Sequence, residues 1–188
     1  MNRFANSRGF TLLELIITLA IAAILLVIAT PSFTNFAQKR AVSQKTVQVR
    51  GALELARGLA VSQHQVWTVC TVNAANACVK EDGLRLIVFL DDNLDNSFSA
   101  GESLQQEIDI NSVQMELAAS FGRSYIRFSG TGEAMESGNY EICSLDQNFA
   151  YGRQAIIFRS GRVRLSSDSD GDGYDDNSGV KIECHSGI

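Results

Sequence analysis

Two stretches of this 188-residue chain space acidic side chains as a hard cation requires. Asp168, Asp170, Asp172, Gly173 and Asp176 form D-x-D-x-D-G-x-x-D, which presents alternate carboxylates around calcium and sets Gly at a sharp turn. The twelfth position is Gly179 rather than a bidentate Glu, so the loop is a shortened version of an EF-hand loop. Asp91, Asn93 and Asp95, with Glu102 in the twelfth place, repeat the ligand positions but carry Asn96 where Gly is expected. That stretch lies between two expected strands, where an acidic hairpin turn is the ordinary explanation. In either loop calcium would order the backbone and catalyse nothing.

A second chemistry is anion binding. Arg153, Arg159, Arg162 and Arg164 fall within twelve residues free of any acid. Arg162 and Arg164, two apart on a strand, point to one side. Gly161 before them would let the chain turn so that both guanidiniums reach one phosphate backbone, a contact that is bidentate, sequence-independent and salt-sensitive. The alternative is that these arginines pair with the acidic 168–176 loop or with a neighbouring protein. The formal charge of −5 works against nucleic acid at long range, so any such binding needs this local patch. Catalysis lacks parts: there are two histidines, His64 and His185, and no nucleophile elbow, P-loop or HExxH.

The elements that must position these groups begin with an apolar run. Phe10 to Thr30, FTLLELIITLAIAAILLVIAT, carries one charge, Glu14. As a helix rising ~1.5 Å per residue it spans about 31 Å, close to the ~30 Å of a hydrocarbon core. Arg3 and Arg8 precede it with no acid among the first nine residues, which keeps that end cytoplasmic and sends the remainder across. A carboxylate inside such a span is costly, by about 2.5–3.5 kcal/mol on insertion scales, and therefore a functional candidate. No small-residue cleavage site follows the run; instead Gly9 stands before it.

Beyond the run the helix is expected to continue, kinked at Pro31, to about Ser62. Val49, Leu53, Ala56 and Ala60 supply its apolar stripe. Lys39, Arg40, Lys45, Arg50 and Arg57 against the single acid Glu54 give a basic face that could contact lipid headgroups or acidic neighbours, a solvated face being the simpler reading. From Gln65 onward the pattern is β: residues 66–72, 84–90, 104–110, 124–129, 139–143 and 154–159 are β-branched or aromatic runs separated by Asn, Gly, Asp and Ser clusters. Strands following one helix indicate an α+β fold, an antiparallel sheet packed on the helix. Cys70, Cys78, Cys143 and Cys184 fit an oxidising compartment beyond the membrane. Three pairings are open; the short Asn/Ala-rich hairpin favours Cys70–Cys78, and Cys143–Cys184 would then pin the C-terminal segment to the sheet. No CxxC spacing supports a metal site there.

The leader with Gly9, followed by Phe10-Thr11-Leu12-Leu13-Glu14-Leu15, resembles the type III signal of type IV prepilins and type II secretion pseudopilins. The order of helix, VWTVCTV, DGLRLIVFLDDNLD, GESL and QAIIFRSGRVRL with a late Cys is similar to the GspH/FimT family of minor pilins and pseudopilins, over nearly the whole chain. The resemblance implies a leader 1–9 cut between Gly9 and Phe10 by a prepilin peptidase, N-methylation of Phe10, and a role for Glu14 in assembly. It implies a transmembrane half-helix 10–30, a periplasmic half-helix 31–63 and a β-rich domain 64–188. The implied life of the chain is in the inner membrane and then in a filament, among other minor and major pilins and near the tip. Gly161–Arg164, GRVR, resembles the GRxR motif of competence minor pilins of this family, implying contact of Arg159, Arg162 and Arg164 with double-stranded DNA. A secretion pseudopilin shares every N-terminal feature, and the acidic insertion after Leu165 departs from the family pattern.

Overall fold

The computed structural model describes residues 11–95, 97–145, 151–182 and 184, without the side chains of 26–32. The leader, the Gly9–Phe10 bond and Phe10 itself lie outside the described residues. The chain divides into two units, Met1–Ala37 and Gln38–Ile188. Helix α1, Leu12–Gln63, runs through Pro31 as one element.

Local chemistry starts the helix. Thr11 and Glu14 are the ends of a T-x-x-E sequence, and the Glu14 N–H donates to Thr11 Oγ1 at 3.2 Å. This satisfies one of the N–H groups a helix start leaves open. It also places the Glu14 carboxylate in the first turn, where the helix dipole favours a negative charge. From Thr11 to Leu25 every side chain is exposed, including Leu12, Leu13 and Ile16. Among the described residues no helix is long and apolar enough to cross a membrane. The expected 10–30 span takes in Phe10 and the side chains of 26–30, which lie outside them.

In the second unit, α1 buries Val42, Thr46, Val49, Ala52, Leu53, Ala56 and Ala60. Their spacing of three and four gives one apolar face, and the alanines let strands approach the helix closely. The Thr46 hydroxyl is buried without penalty because it donates to the Val42 carbonyl at 2.7 Å.

Two antiparallel sheets cover that face, where the sequence suggested one. The first contains β1 (Trp67–Val72), β2 (Cys78–Val79), β3 (Arg85–Leu90) and β4 (Ser103–Asp109) in the order β2-β1-β3-β4, with β6 (Ile126–Phe128) also on β1. The second is β5 (Gln114–Ala119), β7 (Gly138–Cys143), β8 (Gly152–Ile157) and β9 (Val163–Leu165), in that order. The chain turns over at Ile110–Val113, where the Val113 N–H donates to the Ile110 carbonyl, and begins the second sheet. Tyr140 of β7 joins the two sheets: its buried hydroxyl donates to the Val69 carbonyl of β1 at 3.2 Å. Burial pushes that phenol's pKa well up.

β3 explains its own unbroken apolar run. Leu86 and Val88 enter the core under α1, while Ile87 and Phe89 face a second cluster with Cys70, Val72 and Tyr125. Phe98, from the loop after β3, caps it edge-on to Phe89 at 5.6 Å. Cys70 and Cys78 are bonded across β1 and β2, and Cys143 and Cys184 tie the end of β7 to the C-terminal segment. A small hairpin, β10 (Asp176–Asn177) and β11 (Val180–Lys181), precedes Cys184.

The basic face of α1 differs from its solvated reading. Lys39 donates to the Gly173 carbonyl at 3.0 Å, Lys45 to the Asp109 carbonyl, and Arg57 to the Gly132 carbonyl at 2.9 Å. Arg50 pairs with Glu54 one turn on. Long cationic side chains thus fasten loops from both sheets to the helix.

Candidate functional site

The β8–β9 hairpin carries the arginines. Phe158 and Arg162 close it, with the Phe158 N–H on the Arg162 carbonyl at 3.0 Å and the Gly161 N–H on the Phe158 carbonyl at 2.8 Å. Gly161 has φ +76°, and a Cβ there would stand 2.0 Å from the Gly132 carbonyl oxygen. Only glycine fits this close approach. The turn forces Arg159 and Arg162 outward at the tip, with Arg164 two residues along.

Their environments differ. Arg159 is exposed and donates from Nη2 to the Met135 carbonyl at 3.3 Å. Arg162 is exposed, its guanidinium 4.7 Å from the Phe158 ring centroid, a stacking that orients the group without using up its donors. Arg164 is half-buried and donates to Asn177 Oδ1 at 3.3 Å. Among the described residues none of the three forms an ion pair.

Arg153 is separate. It lies opposite Ile142 and bonds Asp175 at 2.8 Å, the Ser166 carbonyl at 3.3 Å and Ser43 of α1 at 3.5 Å. The acidic segment therefore takes Arg153 and leaves the hairpin arginines to other partners.

The acidic loop after β9 is organised by its own carboxylates. Asp168 accepts the Gly171 N–H at 2.7 Å and the Gly173 N–H at 3.0 Å, and these bonds, Gly171 first, hold its carboxyl below the usual aspartate range. Asp176 accepts from the Ser169 N–H and hydroxyl. Asp168, Asp170 and Asp176 converge, their oxygens within 4.8 Å of one another. Asp172 takes the Tyr174 N–H at 2.7 Å and lies 3.6 Å from Lys181, so the structure gathers three of the four expected calcium residues. Two cations approach the Tyr174 ring, Lys181 at 3.5 Å and Lys39 at 5.5 Å from its centroid.

In the other loop Asp91, Asp95 and Glu102 converge within the same distance, with Asn93 instead bonding Asp95. Burial raises the Glu102 carboxyl, the Ser99 N–H opposes this, and the Asp91, Asp95 and Asp92 charges add to it. Phe158, Asn177 and Lys39 were not legible as site residues. An aromatic three residues before a GRxR turn was the one available signal.

With this geometry in place, residues 34–172 match the family model of the type II transport protein GspH, and residues 4–30 match the prokaryotic N-terminal methylation motif. The chain belongs to the GspH family. It is a minor pilin or pseudopilin, of a type IV pilus or of type II secretion, and its methylation motif implies a membrane-anchored pilin. The family is one of structural pilins rather than enzymes, which implies association with other pilins and processing by prepilin peptidase.

The fold is that of a type IV pilin. The crystal structure of the Pseudomonas aeruginosa type IV minor pilin FimU in one crystal form matches with a TM-score of 0.51 at 16% identity, over 70% of this chain and 92% of that one. A second crystal form of FimU gives 0.46 at 17% identity, over 69% and 92%. No curated protein sequence matches the chain.

Proposed function

We propose that this family member is a minor pilin of a type IV pilus, active in pilus assembly and tip priming, whose hairpin arginines hold double-stranded DNA for natural transformation. The observation that carries the DNA reading is the β8–β9 tip, where Arg159 and Arg162 are exposed and, among the described residues, no acid pairs with them or with Arg164. Phosphates would supply the missing counter-charge.

Residues 10–30 anchor the chain in the inner membrane, with the rest periplasmic until assembly. The exposed apolar surface from Leu12 to Leu25 supports this, since such a surface calls for lipid or other helices. Cleavage after Gly9 gives Phe10 a new amine, a methylation target one helical turn from Glu14. That amine, in the same chain or a neighbour, is the natural partner of the Glu14 carboxylate during assembly. The description of the matching family model, a type II transport protein, favours a secretion pseudopilin as the second reading.

DNA binding by the detergent-solubilised full chain across a salt series tests the first reading. Affinity should fall steeply with salt, and an Arg162→Gln/Arg164→Gln double variant should flatten the salt slope by about two. Equal binding by the two proteins would remove DNA from the reading and leave a filament-assembly subunit.

A further inference from the structure

The hydrogen bond on Arg164 is the end of a longer chain. Glu141 on β7 faces Gln154 on β8 in register. Gln154 Nε2 donates to Glu141 Oε2 at 2.8 Å, Asn177 Nδ2 donates to Gln154 Oε1 at 2.9 Å, and Arg164 Nη2 donates to Asn177 Oδ1 at 3.3 Å. The Ser178 hydroxyl reaches the same Asn177 oxygen at 3.4 Å. A carboxylate only accepts and a guanidinium only donates, so the two ends fix which way both amides face. Gln154 is buried, which holds the middle of the chain in place. Asn177 arrives from β10, docked by the Ser167–Asp176 bridge.

We propose that Asn177 is a positioning residue for Arg164, fixing its guanidinium so that the donors it does not engage are set for a phosphate before DNA arrives. The proposal rests on the DNA reading above. Its physical content is preorganisation: a long side chain already held loses less freedom on binding. One donor is spent on Asn177, and among the described residues the remaining N–H groups of the fork stay available.

The test is binding of a short mixed-sequence DNA duplex to the full chain in neutral detergent. Asn177→Ala should weaken binding about three- to tenfold by removing the preorganisation, with the salt slope unchanged because Arg164 still reaches a phosphate. Arg164→Gln should lower the slope by about one. In the Arg164→Gln background, Asn177→Ala should cost nothing further, because it acts through Arg164.

Asn177→Asp is the second variant. Its carboxylate would claim the guanidinium for itself and weaken binding more than the alanine does. Wild-type affinity in either Asn177 variant, or the same loss with and without Arg164, overturns the positioning role. If the Arg162→Gln/Arg164→Gln chain loses DNA while both Asn177 variants keep it, the DNA reading survives and the positioning role alone fails. No DNA binding by the unaltered chain overturns both.

Discussion

Gly161 is where one residue's geometry decides the site. Its positive φ closes the hairpin, and the Gly132 carbonyl and Arg57 occupy the space a side chain would need. Arg57 in turn is held by that same carbonyl, so turn, neighbouring loop and helix meet at one point. Gly161→Ala should therefore cost more than about 1 kcal/mol, from left-handed strain plus the clash. It should also re-aim Arg162, so thermal unfolding and DNA affinity fall together. A variant as stable as the wild type would mean that the turn relaxes freely and that glycine is not what sets the tip. The Arg162–Phe158 stack belongs to this scale too. It depends on the hairpin closing between residues 158 and 162, a pairing that the GRVR motif alone does not disclose.

Elements were legible where one physical signal ruled. The α1 stripe and the unbroken apolar and β-branched runs of β1 and β3 each follow from a single pattern in the sequence. β5 was missed because QMELAA is poor in β-branched residues; its alternation of Met115 and Leu117 is short, and pairing with β7 completes it. The second sheet was hidden for the same reason, since its edge strands β5 and β9 owe their existence to neighbours rather than to propensity. Carboxylate spacing was legible at the acidic loop, but Lys181, eight or more residues away from most of it, drew Asp172 aside. The loop's behaviour with pH follows from Asp168. Its folded carboxyl is depressed, so its stabilisation is present above the ordinary aspartate value of about 3.9 and is lost as pH falls through the lower folded one. The Gly171 and Gly173 amide resonances should titrate with a midpoint below about 3.9, and millimolar calcium should move that midpoint lower still if the three converging carboxylates hold the ion. A midpoint at the unperturbed value would show that the two N–H bonds do not persist in solution. The C-terminal segment is secured differently, by Cys143–Cys184 across 41 residues against eight for Cys70–Cys78. On chain-entropy grounds, replacing the first pair with serines should cost roughly 4 kcal/mol and the second roughly 2.5. Denaturant midpoints in the opposite order would mean that local packing, not loop closure, sets the disulfides' worth.

At the scale of the whole molecule, charge and apolar surface pull toward different partners. A net −5 repels DNA at long range, so on the proposed reading association would depend on the hairpin arginines and should be slow at low salt compared with a basic protein of equal affinity. The exposed apolar stretch from Leu12 to Leu25 asks for lipid before assembly and for other helices afterwards, which suits a subunit that leaves the membrane for a filament. Both the pilus reading and the secretion reading require that transit, so the N-terminus cannot separate them; the machine that is lost with the chain can. Deleting the chain should abolish surface pili and transformation while exoprotein secretion continues. Restoring it with Arg162→Gln/Arg164→Gln should return pili without transformation, because the scaffold and the arginine tip are carried by separate parts of the fold. A Gly9→Ala chain should stay unprocessed in the membrane and restore neither. Lost exoprotein secretion with intact pili would instead assign the chain to the secretion system, and pili that return together with full transformation in the arginine variant would leave the hairpin with no part in DNA uptake.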